Sequence, residues 1–187
     1  MSGDRGGAHR AVAEAPRTRG NGAHPATAPF GTREFRDALG RFPTGVVAVA
    51  ARDPRTGRPA GLAANSFTSV SLDPPLVGFC VGRTSTSWPG LRSAHRLAVS
   101  ILGADQEEAS RRMASRGGDK FSGVAWHESP SGAPVIEGSQ AWLECEVEAE
   151  HPAGDHLIVV ARVHHLSDQG GTAPLLYYRG EYRALEQ

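Results

Sequence analysis

The segment at residues 61–75 carries side chains that could bind a polar, planar ligand. Ala63 and Ala64 leave room for a ring system beside the backbone, and Asn65 can both donate and accept hydrogen bonds. Hydroxyl groups follow closely at Ser66, Thr68, Ser69 and Ser71. Pro74-Pro75 then ends the segment in a stiff corner. These residue types predict a ligand-orienting segment, although a Ser/Thr-rich edge strand with its turn has the same composition.

The neighbouring elements must position this segment. Residues 46–50 are an apolar run that predicts a strand, and residues 53–57 contain the proline and glycine of a turn. The Asn65 segment then predicts the returning strand of a hairpin. We therefore expect the candidate ligand-binding segment to be sheet rather than loop.

A helix is predicted before this hairpin. Thr32 is a possible N-cap, and apolar side chains recur at helical spacing at Phe35, Ala38, Leu39 and Phe42. Pro43-Thr44-Gly45 ends the pattern. We expect one face of this helix to cover the core.

Strict alternation marks another strand, at residues 141–149. Small or apolar residues alternate there with Trp142, Glu144, Glu146 and Glu148, which is the period of a strand. We expect one face of this strand to be buried and the glutamate-bearing face to be wet.

The remaining apolar runs complete the predicted fold. Strands are expected at residues 76–81, 97–102, 156–163, 175–178 and 182–185, and a polar helix at residues 105–114. Short strands with tight turns and few helices favour a closed antiparallel barrel over a parallel α/β sheet. The sequence contains no G-x-G-x-x-G, so a Rossmann dinucleotide site is not supported.

Composition limits the domain count and the classes of partner. The 187 residues suit one domain. Residues 1–29 have almost no large apolar side chain and predict a disordered tail, which leaves residues 30–187 as the domain. Twenty basic and twenty acidic side chains cancel, which argues against a nucleic acid or an anionic membrane as partner. No apolar run approaches the roughly 20 residues that span a bilayer, and no secretory signal is evident, so we expect a cytoplasmic protein.

The cysteines and histidines do not form a metal or disulfide pattern. Cys80 and Cys145 lie in separate apolar strands, which suits buried reduced thiols. His164 and His165 are neighbours on a strand and point to opposite faces, so they could hardly share one metal ion. We predict no metal site.

Several short motifs follow one another in a characteristic order along residues 35–182. They are Phe35-Arg36 leading to Phe42-Pro43-Thr44-Gly45-Val46-Val47, Asn65-Ser66-Phe67-Thr68-Ser69-Val70-Ser71 with Pro74-Pro75, Leu143-Glu144-Cys145, Gly154-Asp155-His156, and Pro174-Leu175-Leu176-Tyr177-Tyr178. In order and spacing they resemble the flavin reductase family, the small NAD(P)H:flavin oxidoreductases that feed two-component monooxygenases. The resemblance implies a mainly β fold with a few short helices, an antiparallel, Greek-key-like, FMN-binding split β-barrel. It also implies a homodimer with flavin at the subunit boundary.

The resemblance implies hydride transfer from NADH or NADPH to FMN or FAD, and release of reduced flavin to a partner monooxygenase. This chemistry needs little from side chains beyond stacking the two rings at roughly 3 to 3.5 Å. Asn65 and Ser66 would hydrogen-bond the polar edge of the isoalloxazine, while Ala63 and Ala64 allow its close approach. The family pattern adds Thr44, Gly45, Val70 and Phe121 to the flavin site, although a helix stop or a loop anchor would explain some of these residues equally well.

The flavin phosphate needs hydroxyls and a guanidinium that can surround anionic oxygens. The candidates are Ser69, Ser71, Ser85, Ser87 and Arg83. A solvated arginine at a strand end would explain Arg83 equally well.

His156 is the candidate catalytic residue. Local chemistry makes Gly154-Asp155-His156 a hairpin turn. The resemblance places His156 beside the nicotinamide, where the imidazole could bond the carboxamide or a phosphate, or steer the ring. It places Tyr178 near the same site, although an aromatic that seals the barrel is an alternative.

Other functions stay open at this point. A split-barrel enzyme could keep its flavin bound and act on another small molecule, or the chain could be a flavin carrier or sensor without turnover. The sequence does not decide between FMN and FAD. No basic pocket for a 2′-phosphate is evident, which favours NADH over NADPH.

Overall fold

The structure, a computed structural model, describes residues 28–171 and 173–185. The predicted disordered tail falls outside these residues except for its last two, and it stays a prediction. The strands are β1 (Thr44–Gly45), β2 (Val47–Arg52), β3 (Pro59–Ala64), β4 (Thr68–Leu72), β5 (Pro75–Gly82), β6 (Leu97–Ile101), β7 (Trp126–Glu128), β8 (Pro134–Ile136), β9 (Ala141–Ala153), β10 (His156–Asp168), β11 (Leu176–Tyr178) and β12 (Glu181–Arg183). The helices are α1 (Thr32–Leu39), α2 (Trp88–Arg92) and α3 (Glu107–Ala114), and a 3-10 turn at Ala104–Gln106 leads into α3. None of the helices in the described ranges is long and apolar enough to cross a membrane.

Seven strands form the main sheet, in the order β3-β2-β6-β9-β10-β5-β4. All of its pairs are antiparallel. The sheet ends at β3 and β4, so backbone hydrogen bonds do not close it into a full barrel. The mainly β, antiparallel split barrel that the resemblance implied is confirmed. The closed barrel favoured by the strand pattern is wrong, because the edge strands β3 and β4 do not pair with each other. A small sheet, β1-β11-β12, and the β7-β8 hairpin lie outside the seven strands.

Strand β2 is buried on both faces and organises the core. Its odd-numbered side chains from Val47 to Ala51 join one apolar cluster with Phe79 and Leu97. Ala48 and Ala50, on the opposite face, join a second cluster with Met113 of α3 and Leu175. A strand covered on both faces is apolar at consecutive positions, which explains the unbroken run that predicted it.

Helix α1 forms where the sequence predicted it, but it does not cover the core. None of its residues is buried. Phe35, Leu39 and Phe42 are 49%, 58% and 73% exposed. The expectation that this apolar face packs on the core is wrong for the single chain, because neither apolar cluster of the sheet includes a residue of α1.

The candidate ligand-binding segment is only partly sheet. Strand β3 ends at Ala64 and β4 begins at Thr68, so residues 65–67 form a bend between them. The hydroxyl of Ser66 accepts a hydrogen bond from the backbone N–H of Cys80 at 2.8 Å. The expectation of a continuous returning strand is wrong, because this side-chain bond holds the bend against β5.

Glu144 lies on the face of β9 that was expected to be wet, yet it is fully buried. Its carboxylate accepts hydrogen bonds from the Ser129 hydroxyl at 2.5 Å and from the Ser131 backbone N–H and hydroxyl, both at 2.9 Å. Residues 129–133, between β7 and β8, cover this part of the strand. Burial alone would raise the pKa of Glu144, but these hydrogen bonds outweigh burial and lower its pKa below the ordinary value.

Replacing Glu144 with Gln is expected to destabilise the fold at neutral pH by about 1 to 3 kcal/mol, since an amide cannot accept all three bonds. A carboxyl with a lowered folded pKa contributes stability above its unfolded pKa and loses it as pH falls through the folded value. The wild-type advantage should therefore shrink below the ordinary pKa of 4.5. Urea unfolding between neutral pH and about pH 3 measures both effects.

Glu148→Gln is the matched control, because Glu148 lies on the same strand and forms an exposed pair with Arg162. Glu148→Gln should lower the free energy of unfolding by less than about 1 kcal/mol. Equal effects of the two substitutions would contradict the role assigned to Glu144.

Candidate functional site

A cleft of about 430 Å³ opens in the split between β3 and β5. Strand β3 supplies its floor, and the bend at residues 65–66, the end of β5 and the start of β10 form its walls. The loop after β5 and the end of α3 close the sides. The lining residues are Leu62, Ala63, Ala64, Asn65, Ser66, Cys80, Val81, Gly82, Thr84, Ser85, Thr86, Ser87, Met113, Ala114, Ser115, Arg116, Lys120 and His156.

The structure brings together many of the residues singled out by the sequence. Those that line the cleft are Ala63, Ala64, Asn65, Ser66, Ser85, Ser87 and His156. The hydroxyl of Ser66 is occupied by the backbone of Cys80, and that of Ser85 accepts a bond from the Trp88 N–H at 3.2 Å. Both serines therefore shape the walls, whereas Asn65 and Ser87 have polar side chains available to a ligand.

The other phosphate candidates, Ser69, Ser71 and Arg83, lie outside the cleft, as does Val70 of the predicted flavin site. Ser69, Val70 and Ser71 are on β4, at the open edge of the main sheet, where a register shift interrupts the pairing with β5. Arg83 is exposed, and its backbone N–H donates to the carbonyl of Asp155 at 2.9 Å. Contacts of these four residues with a ligand remain predictions.

Thr44, Gly45 and Tyr178 belong to the small sheet beside the cleft. Thr44 and Gly45 pair with Tyr177 and Leu176. A cavity of about 230 Å³ lies between this sheet and the floor of the cleft, and residues 63–65 line both spaces. Tyr177 and Tyr182 face this cavity, whereas Tyr178 lies beneath the Arg179 guanidinium at 5.7 Å.

Phe121 is nearly buried and packs edge-on against Trp126, with their ring centroids 5.9 Å apart. It lines a further cavity next to the cleft rather than the cleft itself. A place for Phe121 in ligand binding stays a prediction.

Lys120 is the main lining residue that sequence reasoning missed. Its ammonium group donates to the carbonyls of Met113 at 2.8 Å and Gly61 at 3.1 Å. Burial lowers the pKa of Lys120 below its ordinary value. A Cβ at Gly61 would lie 2.6 Å from the Met113 sulfur, so this glycine permits the close approach of α3 to β3. The only sequence signal was the position of Lys120 immediately before Phe121.

Other missed residues provide hydroxyls and a cation. Thr84 and Thr86 flank Ser85 in the loop after β5, and Ser115 and Arg116 follow α3. Their placement depends on how two loops fold over β3, which local patterns do not reveal. In the described ranges no cluster of three His, Cys, Asp or Glu side chains could hold a metal ion.

His156 is held in a defined orientation at the start of β10. Its Nδ1 lies 2.7 Å from the Asp155 carboxylate. The hydrogen bond with His156 lowers the pKa of Asp155. With Nδ1 engaged, Nε2 remains available to a ligand, and Gly82 leaves space beside it because a Cβ there would be 3.8 Å away.

The donor set fits a planar heterocycle that carries an anionic tail. Small residues at Ala63 and Ala64 leave the floor open to a ring, and Asn65 can pair with its polar edge. Free hydroxyls in the loop after β5 and the cations Arg116 and Lys120 suit anionic oxygens.

Comparisons with known proteins agree with this chemistry. Residues 39–186 match the family model described as flavin reductase like domain. A flavin reductase of Pseudomonas putida is 47% identical over 148 residues, which are 79% of this chain and 86% of that protein. HsaB of Rhodococcus jostii, a reductase subunit of a flavin-dependent monooxygenase, is 42% identical over 167 residues, 89% of this chain and 84% of that protein. The solved structure of the NADH:FAD oxidoreductase SgcE6 of Streptomyces globisporus C-1027, in complex with NAD and FAD fragments, matches with a TM-score of 0.79 and 36% identity over 87% of this chain and 98% of that one.

Proposed function

We propose a function from the premise that the chain belongs to the flavin reductase family, as its match over residues 39–186 shows. It is an NAD(P)H:flavin oxidoreductase that supplies reduced flavin to a partner monooxygenase. The observation that carries this conclusion is the cleft in the barrel split, where an open small-residue floor, a row of hydroxyls and an oriented histidine meet.

The proposed role of the protein side chains is mainly to position the flavin and the nicotinamide for hydride transfer. When bound, the flavin supplies a ring system that accepts a hydride from the dihydronicotinamide. Ala63 and Ala64 let such a ring approach β3 closely, and Asn65 fixes its polar edge. Hydride transfer between stacked rings requires no general acid or base from the protein. The scarcity of such groups in the cleft is therefore compatible with this reaction.

The loop after β5 is the proposed contact for the flavin phosphate. Thr84, Thr86 and Ser87 present hydroxyls along one side of the cleft, and Arg116 and Lys120 bring positive charge to the other. A phosphate between them would receive charge-assisted hydrogen bonds. Ser69, Ser71 and Arg83 do not line the cleft, so we assign them a supporting part.

His156 is proposed to bind the nicotinamide nucleotide. Asp155 occupies Nδ1, so Nε2 is the atom directed to the carboxamide or a phosphate of that substrate. We propose NADH as the preferred donor, a choice supported by the similar protein SgcE6, which is an NADH:FAD oxidoreductase. We also propose a cytoplasmic location, where the free thiols of Cys80 and Cys145 stay reduced.

The function is tested by NADH oxidation, followed at the nicotinamide absorbance band with purified protein and added FMN, FAD or no flavin. Rapid oxidation only with added flavin is expected, because the open cleft holds flavin as a substrate that leaves. NADPH replaces NADH in a parallel series and should react more slowly. Oxidation without added flavin would favour a retained prosthetic group. Absence of turnover with every flavin and both nucleotides would contradict the reductase and leave a carrier.

Substituting His156 with Ala is expected to raise the KM for NADH about tenfold, which corresponds to losing one hydrogen bond to a charged or strongly polar group. The affinity for flavin should change little, because Nε2 faces the nucleotide. His151→Ala, an exposed histidine on the neighbouring strand β9, is the matched control and should behave as wild type. An unchanged KM for NADH in His156→Ala would contradict the proposed role of His156 in nucleotide binding.

We propose a homodimer on the evidence of α1. Phe35, Leu39 and Phe42 form an exposed apolar face that the single chain leaves uncovered. Exposed apolar side chains in a contiguous group mark a protein–protein interface more often than a free surface. A second copy of the chain is the proposed occupant, in keeping with flavin at a subunit boundary.

The double variant Phe35→Ser, Phe42→Ser is expected to convert the dimer to a monomer, measured by light scattering during size-exclusion chromatography. Two large apolar anchors are lost from the centre of the proposed interface. Leu166→Ser, at a residue 68% exposed on β10, is the control and should leave the dimer intact. A monomeric wild type, or a double variant that stays dimeric, would refute the assignment of this face.

A further inference from the structure

A second cavity, of about 790 Å³, adjoins the cleft and has no role in the function proposed so far. Thr86, Ser87 and Lys120 line both spaces, so the two adjoin at these side chains. The cavity lies between the turn that connects β2 to β3 and the loop after α3. A ligand in the cleft could therefore extend into it without leaving the protein surface.

The β2–β3 turn has a fixed shape. The carboxylate of Asp53 accepts bonds from the backbone N–H and the guanidinium of Arg55, at 2.7 to 3.1 Å. The backbone N–H of Asp53 donates to the carbonyl of Arg58 at 2.9 Å, and Arg52 donates to the carbonyl of Gly57. These bonds hold Arg58 at the rim of the cavity.

The side chains that line the cavity carry a net charge of one positive unit. Asp53 and Arg55 neutralise one another. Asp119 is engaged locally, because it accepts the backbone N–H of Phe121 at 3.0 Å, and Lys120 is bound to two carbonyls. Within residues 28–171 and 173–185, Arg58 has no carboxylate at ion-pair distance, so its guanidinium is available to an anion.

An aromatic surface completes the cavity. Trp126 lines it and is half-buried. Its indole is fixed by the edge-on contact with Phe121 and by the Arg52 guanidinium, 5.8 Å from the ring centroid. A fixed indole suits stacking with a nucleobase, and an unpaired guanidinium suits a pyrophosphate.

We propose that this cavity binds the adenosine diphosphate half of a dinucleotide whose other half occupies the cleft, with Arg58 on the pyrophosphate and Trp126 against the adenine. The inference rests on the proposed function and adds a specificity-determining residue to it. FAD and NAD(P)H both carry such a half, whereas FMN ends at its first phosphate. The two spaces adjoin at Thr86 and Ser87, the proposed contacts of the flavin phosphate, which favours FAD and predicts a preference for FAD over FMN.

The test compares the full-length wild type with Arg58→Gln. Equilibrium binding is measured by quenching of flavin fluorescence in the absence of nicotinamide nucleotide. The Kd for FAD should rise about tenfold, as expected for one lost charge-assisted contact, while the Kd for FMN should change less than about twofold. ADP should displace FAD from the wild type more readily than it displaces FMN.

Two further variants separate this role from a structural one. Arg58→Lys should restore part of the FAD affinity, because it returns the positive charge without the planar fork. Arg112→Gln removes an exposed charge from α3 outside both spaces and should bind FAD as the wild type does. Thermal unfolding of each variant checks that the fold is intact.

The KM for NADH in the same variants distinguishes the two sources of the adenosine half. A tenfold rise for NADH with unchanged FAD affinity would place the nucleotide rather than the flavin in the cavity and would still support the subsite. Unchanged values for FAD, FMN and NADH in Arg58→Gln would overturn it. If the wild type reduces both flavins and Arg58→Gln behaves identically, only the proposed subsite is contradicted. If the wild type shows no turnover at all, the proposed function is contradicted.

Discussion

The gap between the edge strand β3 and the end of β5, beyond the residues that pair with β4, is the constraint on which the site depends. A fully closed barrel has no free strand edges and fills its interior with side chains. Here the chain leaves β3 at Ala64, crosses the gap and joins β5 through the bond from the Cys80 N–H to the Ser66 hydroxyl. One side-chain hydrogen bond thus stands where a closed barrel would have a ladder of backbone hydrogen bonds between strands. The space that those paired strands would occupy is the cleft.

Small residues leave space in that gap, and one lysine links the elements on either side of it. Strand β3 lines the cleft with Leu62 and two alanines, and at the neighbouring Gly61 even a methyl group would collide with Met113. The close approach of α3 lets Lys120 bind the carbonyls of both elements at once. An apolar residue at position 120 would leave those carbonyls without this partner in a partly buried place, which is costly. The floor and side wall of the cleft are therefore coupled through Lys120.

Sequence patterns predicted the sheet well because its strands carry strong period-two or continuous apolar signals, as at β2 and β9. They failed where a distant segment covers a residue. Glu144 fits the wet face of β9 by alternation, and only the serines of the loop before β8 make its burial tolerable. The apolar face of α1 looked like a core-facing stripe because periodicity does not say whether the stripe meets its own core or another chain. In the site, Asn65 and His156 stood out through their motifs, whereas Lys120 and Arg116 enter through loop placement that no local pattern encodes.

The balance of charges in the cleft matches a protein that must give its flavin away. Tight retention of a phosphate in water requires several converging cations or a helix N-terminus, as in dinucleotide-binding folds. In this cleft hydroxyls outnumber cations, one of the two cations is already bound to two carbonyls, and the floor carries the small side chains of Ala63 and Ala64. In the binding mode proposed above, these contacts would orient a ring for hydride transfer, but together they would provide only modest affinity because the site is partly open. Orientation without strong retention is what transfer of reduced flavin to a separate oxygenase requires, so the split barrel serves delivery as much as reduction.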